Sequence, residues 1–96
     1  MSEPIIVYTS TYCMHSRSVE RLLKKHDIVA EFINIDGDRE ARQAVMALND
    51  GYASVPTLLF PDGTQLTEPS SKVLLAKLGL ESPSLADRLK GAFGQD

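Results

Sequence analysis

Two short apolar runs, Val55-Pro56-Thr57-Leu58-Leu59-Phe60 and Thr64-Gln65-Leu66, are separated by nothing more than Pro61-Asp62-Gly63. A link that short cannot carry the chain back for a parallel pairing, so the two runs must form an antiparallel hairpin. The first half of the chain is organised differently. Ile5-Ile6-Val7-Tyr8 is a β-branched and aromatic run closed by Thr9-Ser10-Thr11, which reads as a buried strand. A helix begins near Cys13, with Val19, Leu22, Leu23 and His26 at i, i+3, i+4, i+7 on one inward face. Arg17, Arg21, Lys24 and Lys25 lie on another face and read as a solvated charge stripe, with Glu20 to Lys24 a favourable i,i+4 pair. Ile28 to Ile35 is a second strand, and Asp36-Gly37-Asp38 a turn in which Asp38 caps the next helix. Ala41, Ala44, Val45 and Leu48 repeat the helical stripe until Asn49-Asp50-Gly51 ends it. After the hairpin, Ser70 or Ser71 caps a third helix carrying Leu74, Leu75 and Leu78, which stops at Gly79. Ser82-Pro83-Ser84 then opens a C-terminal helical extension over 82–93, with Leu85, Leu89 and Phe93 on one side and a frayed end beyond it.

The order β-α-β-α-β-β-α plus a C-terminal helix defines an α/β chain whose first two strands, joined by a helical crossover, are parallel and right-handed. The 96 residues fit one domain. A net charge of -3 argues against a nucleic-acid partner. The apolar runs fall well short of the ~18 residues that span a bilayer, so no membrane association is expected. Met1-Ser2-Glu3-Pro4 lacks a basic leader, which predicts a cytoplasmic location. There is one cysteine. It cannot staple the fold internally or build a Cys-rich zinc site, so no metal is expected.

Cys13 stands where the first strand gives way to the first helix, in Thr11-Tyr12-Cys13-Met14-His15-Ser16. The free N–H groups and positive dipole end of a helix N-terminus favour an anion, and the thiolate is the reactive form of cysteine. Arg17 and His15 add positive potential in the first turn, His15 itself facing solvent. Tyr12 and Met14 flank the sulfur with apolar surface for a partner. Stabilising a thiolate helps chiefly when it leaves, because nucleophilicity falls together with basicity. His26 reads as a partly buried, satisfied histidine, and Tyr8 and Phe60 as core residues.

These features together resemble the thioredoxin fold and, more narrowly, the glutaredoxin family. The resemblance covers about residues 4–78 and rests on four matches in order: the strand ending in Tyr8, the aromatic-Cys-x-x-Ser element Tyr12-Cys13-Met14-His15-Ser16, the segment Ser54-Val55-Pro56-Thr57, and the Asp62-Gly63 hairpin. The stretch from Asn49-Asp50-Gly51 to Leu66-Thr67-Glu68-Pro69-Ser70 is most similar to the mycoredoxin subgroup.

The resemblance implies a four-stranded mixed sheet in the order 2-1-3-4, with the last two strands antiparallel to the first and helices on both faces. It implies a cis Val55-Pro56 bond facing Cys13, the catalytic nucleophile. A proline at the head of a strand cannot complete a ladder, which leaves the Val55 N–H and C=O for a substrate backbone. Ser16 stands where dithiol relatives carry a second cysteine, and a hydroxyl cannot resolve a mixed disulfide. The implied activity is therefore a monothiol thiol–disulfide exchange that reduces mixed disulfides between proteins and a low-molecular-weight thiol, with Ser16 hydrogen-bonded to the sulfur.

Thr11, Tyr12, Met14, His15, Val55, Pro56 and Thr67 are the expected substrate contacts, Thr67 and Ser70 serving equally well as helix caps. Ser10 replaces the lysine of typical glutathione users, and Thr67-Glu68-Pro69-Ser70 replaces their anchor. The co-substrate is accordingly mycothiol or glutathione, with no tightly bound cofactor, S-thiolated or oxidised proteins as partners, and a monomer as the working unit. Two alternatives stand beside this reading. One is a cluster-binding monothiol protein holding a 2Fe–2S centre between two protomers. The other is a Cys-to-Ser trapping variant of a dithiol enzyme.

Overall fold

The computed structural model describes residues 3–80. In chain order these form β1 (Ile5–Thr9), α1 (Met14–Lys25), β2 (Ala30–Asn34), α2 (Arg39–Leu48), β3 (Thr57–Leu59), β4 (Gln65–Thr67) and α3 (Ser71–Leu78). The extension expected over 82–93 lies outside the described residues.

The four strands form one sheet in the order β2-β1-β3-β4. β1 pairs in parallel with β2, from Ile5↔Ala30 to Thr9↔Asn34. It pairs antiparallel with β3 through Ile6↔Leu59, Val7↔Leu58 and Tyr8↔Thr57, and β3 pairs antiparallel with β4. The order and the mixed character are those expected. The direction of β4 is a correction: each antiparallel pairing reverses the chain once, so two reversals return β4 to the direction of β1. At the hairpin, Gly63 takes φ 89 and donates its N–H to the Phe60 carbonyl at 2.9 Å. A Cβ carries a steric penalty at that angle, which is why glycine closes this turn.

Alternation along β1 sorts the core onto two faces. Ile5 and Val7 join Val19, Leu23, Leu58, Phe60 and Leu74 in the larger cluster, which binds α1 and α3 to the sheet. On the other face Ile35, Ala41 and Val45 form a smaller cluster under α2, with Tyr8, Ile33, Ala53 and Val55 packed against it. Tyr8 is therefore half-buried on the thin face, whereas Phe60 is a buried core residue as expected. Val19, Leu22 and Leu23 of α1 face inward, and Arg17, Arg21, Lys24 and Lys25 are exposed as the charge stripe required.

The helix ends follow their sequence signals. Asp38 caps α2 by accepting from the Ala41 N–H at 3.0 Å, and Ser70 caps α3 by accepting from the Val73 N–H at 3.2 Å. Ser70, not Ser71, is the cap. Gly79 ends α3 in the left-handed conformation, φ 73. Among the described residues, no helix is long and apolar enough to cross a membrane.

Candidate active site

Cys13 occupies the N-cap of α1 with extended backbone, φ -95 and ψ 110, so its side chain points back at the open end of the helix. Its sulfur accepts from the Ser16 N–H at 3.4 Å. No acidic residue occupies the first turn, and Lys24 and Lys25 sit in the last. The positive end of the dipole at the sulfur therefore has no acidic residue in its own turn, while the far end is complemented. Cys13 is partly exposed, so a substrate reaches it from solvent.

The Val55-Pro56 bond is cis, and the Val55 carbonyl lies 3.7 Å from the Cys13 Sγ, which donates to it in the thiol form. The expected meeting of residues 13 and 55, far apart in sequence, is present. Pro56 is buried, and its carbonyl accepts from the Glu68 N–H at 2.7 Å. That bond holds Glu68 at φ 48, a conformation that side-chain-bearing residues seldom adopt.

Ser16 is buried and meets the sulfur through its backbone amide, one of the first-turn amides expected there, and not through its hydroxyl. Its hydroxyl accepts from the Ser10 N–H at 3.4 Å, tying the start of the loop to the first turn of α1. His15 does not face solvent freely. Its Nε2 donates to the Pro69 carbonyl at 2.6 Å, which clips the first turn of α1 to the segment leading into α3. A carbonyl only accepts, so the proton resides on Nε2.

Thr67 reaches the site's edge, but its hydroxyl is engaged. It donates to Asn49 Oδ1 at 2.7 Å and accepts from Gln65 Nε2 at 3.0 Å. Asn49 is the centre of that cluster, since its Nδ2 also donates to the Val45 carbonyl at 2.9 Å and to Thr57 Oγ1 at 3.1 Å. The expected sulfur-flanking residues are free: Tyr12 is 93% exposed and Met14 73%. Thr11 is exposed, its N–H donated to Asp36 Oδ2 at 2.8 Å and its hydroxyl accepting from Asn34 Nδ2 at 2.8 Å.

Three residues that the sequence did not single out thus shape the site: Asp36, Asn34 and Asn49. Tyr52 stands 71% exposed in the loop before Val55. Among the described residues, no group of three or more His, Cys, Asp or Glu is placed to hold a metal ion.

The chain matches the glutaredoxin family model over residues 5–64. It is 32% identical to mycoredoxin 1 of Corynebacterium glutamicum over 74 residues, covering 77% of this chain and 91% of that protein. Among solved structures it resembles the thioredoxin-like protein BC3987, with TM-score 0.60 and 28% identity over 78% of this chain and 94% of the other. Wheat glutaredoxin shares the fold at TM-score 0.62 and 21% identity, with 82% and 76% of the two chains covered. A sulfur on a helix cap beside a cis-proline loop, in a chain with these relatives, makes this protein a member of the glutaredoxin family and a thiol–disulfide oxidoreductase.

Proposed function

We propose that the protein reduces mixed disulfides between proteins and a low-molecular-weight thiol by a monothiol cycle through Cys13. The observation that supports this most is the Cys13 sulfur itself, capped by the Ser16 N–H and facing the Val55 carbonyl, with no second cysteine in the chain. In the first step the Cys13 thiolate attacks the small-thiol sulfur of a protein mixed disulfide. The old S–S bond breaks, the protein leaves as a thiolate that takes a proton from water, and a Cys13–small-thiol disulfide forms. In the second step another small thiolate attacks the small-thiol sulfur of that adduct. Cys13 leaves as a thiolate and the small thiol is released as its symmetrical disulfide, so each turnover consumes one free small thiol, the other half of that disulfide having come from the substrate.

The parts divide this work simply. The helix N-terminus and the Ser16 amide stabilise the sulfur anion each time it is expelled. Loss of the sulfur's proton also removes the donor facing Val55, which leaves that carbonyl for the N–H of an incoming peptide. Tyr12 and Met14 supply apolar area beside the sulfur. Thr67 acts through its backbone position more than its hydroxyl, which Asn49 holds. The small thiol is a co-substrate, and the name mycoredoxin carried by a relative supports mycothiol over glutathione. The working setting is a reducing cytoplasm and the working unit a monomer.

Intact mass after separate incubation with mycothiol disulfide and glutathione disulfide tests the proposal. One adduct on Cys13, formed faster with mycothiol disulfide and removed by excess thiol, is the expected result. An adduct that excess thiol leaves in place, or no adduct with either disulfide, overturns the monothiol cycle.

A further inference from the structure

We infer that Asp36 is a positioning residue for Cys13, holding from the end of β2 the turn on which the reactive sulfur rides. The inference rests on Cys13 being the nucleophile. The parallel ladder of β1 and β2 ends at Thr9↔Asn34, and the Ile35 N–H extends it by donating to the Thr9 carbonyl at 2.9 Å. Asp36 comes next. Its Oδ1 accepts from Ser10 Oγ at 2.9 Å and its Oδ2 from the Thr11 N–H at 2.8 Å. Asn34 braces the same pair, accepting from the Asp36 N–H at 2.7 Å while its Nδ2 reaches Thr11 Oγ1 at 2.8 Å.

Ser10 passes this restraint to the sulfur. Its carbonyl accepts from the Cys13 N–H at 3.3 Å, and its N–H donates to Ser16 Oγ at 3.4 Å. One residue therefore separates the carboxylate from both ends of the Cys13-to-Ser16 turn. Charge alone gives no reason for an acid here, because an anion near the sulfur opposes a second anion. Asp36 is exposed, so water and salt screen that repulsion while the two hydrogen bonds keep their geometry. The Thr11 N–H, then the Ser10 hydroxyl, hold its carboxyl below the usual carboxylate range. The acceptor thus persists wherever a thiol enzyme works.

An asparagine at this position keeps both contacts, with Oδ1 accepting from Thr11 and Nδ2 donating to a Ser10 hydroxyl turned to accept. An alanine loses both. The test is the second-order rate of Cys13 alkylation by iodoacetamide, followed by intact mass, beside turnover of a protein mixed disulfide. Asp36→Ala is expected to slow both about tenfold, as displacement of a reacting group does, and Asp36→Asn to stay within about threefold of the parent. Ser10→Ala is expected to add nothing to Asp36→Ala, since both act along one path.

Wild-type alkylation in Asp36→Ala overturns the inference. So does Asp36→Asn as impaired as Asp36→Ala, which would make the charge, not the placement, responsible. If Asp36→Ala fails to fold by circular dichroism, Asp36→Asn against Ser10→Ala decides: Ser10→Ala must be the slower of the two. Alkylation reads the sulfur directly, so failure of the underlying reading shows separately, as mixed-disulfide reduction that survives Cys13→Ser.

Discussion

The two faces of the sheet are built by different means. Under α1 and α3 the sheet buries Ile5, Val7, Leu58 and Phe60 against Val19, Leu23 and Leu74, a continuous apolar layer. Under α2 the buried set shrinks to Ile35, Ala41 and Val45, and the side chain of Asn49 joins α2 to β3 and β4 through hydrogen bonds. Apolar area is non-directional and scales with what is buried, whereas hydrogen bonds fix geometry with a modest net gain. The thick face accordingly stabilises the molecule. The thin face, from which Val55 reaches the sulfur, sets positions. Stability and chemistry are therefore separable in this small chain.

The largest effect that would sharpen this contrast is Cys13→Ser. Mixed-disulfide reduction should vanish while the thermal midpoint stays unchanged, because the partly exposed sulfur adds little to the core. A midpoint that falls with activity would break the separation. Next comes a matched pair, read by urea unfolding. Leu58→Ala on the thick face should cost about 2–5 kcal/mol, and Val45→Ala on the thin face about 2 kcal/mol at most. Equal costs would mean that the faces share the load.

Asn49→Ala should cost about 1–3 kcal/mol, because it removes a hydrogen-bond partner from each of Thr57, Gln65 and Thr67. It should also raise hydrogen exchange in β4 more than in β1, and uniform exchange would deny Asn49 its local role. The smallest effect lies at the surface, in the turn that follows Phe60. Asp62 accepts from Lys77, then from Thr64, and these contacts hold its carboxyl well below the usual range. A lowered carboxylate contributes stability above its unfolded pKa of about 3.9 and loses it as pH falls through the folded value. Asp62→Asn should therefore melt slightly below wild type near neutrality, with the gap closing in strong acid. A gap independent of pH would remove the ion pair from the account.

What the sequence disclosed follows the same division. Periodicity marks elements and apolar faces, so the helices and strands were legible, while the strand order and the meeting of Cys13 with Val55-Pro56 came from the resemblance to the glutaredoxin family. The polar stitching was not. Asp36 reads as an ordinary turn residue and Asn49 as a helix terminator, and nothing in their spacing reveals partners at Ser10 or Thr67. The Ser16 amide was assigned to the sulfur from its place in the first helical turn, whereas the engagement of its hydroxyl by the Ser10 N–H left no mark in the motif. His15 looked solvated because its partner is the carbonyl of Pro69, a backbone group that no side-chain pattern encodes. β4 was given the wrong direction by counting one reversal where the chain makes two.

The near-complete exposure of Tyr12 has an optical consequence. The chain contains no tryptophan and three tyrosines, so its ultraviolet emission comes from phenol rings alone. One of those rings is the residue preceding the reactive sulfur and projects into water. Sulfur bonds quench neighbouring phenols, and a docked protein excludes water from them. The protein thus carries a native fluorophore next to its cysteine in sequence, and a partner docked over that ring should change the emission without any label.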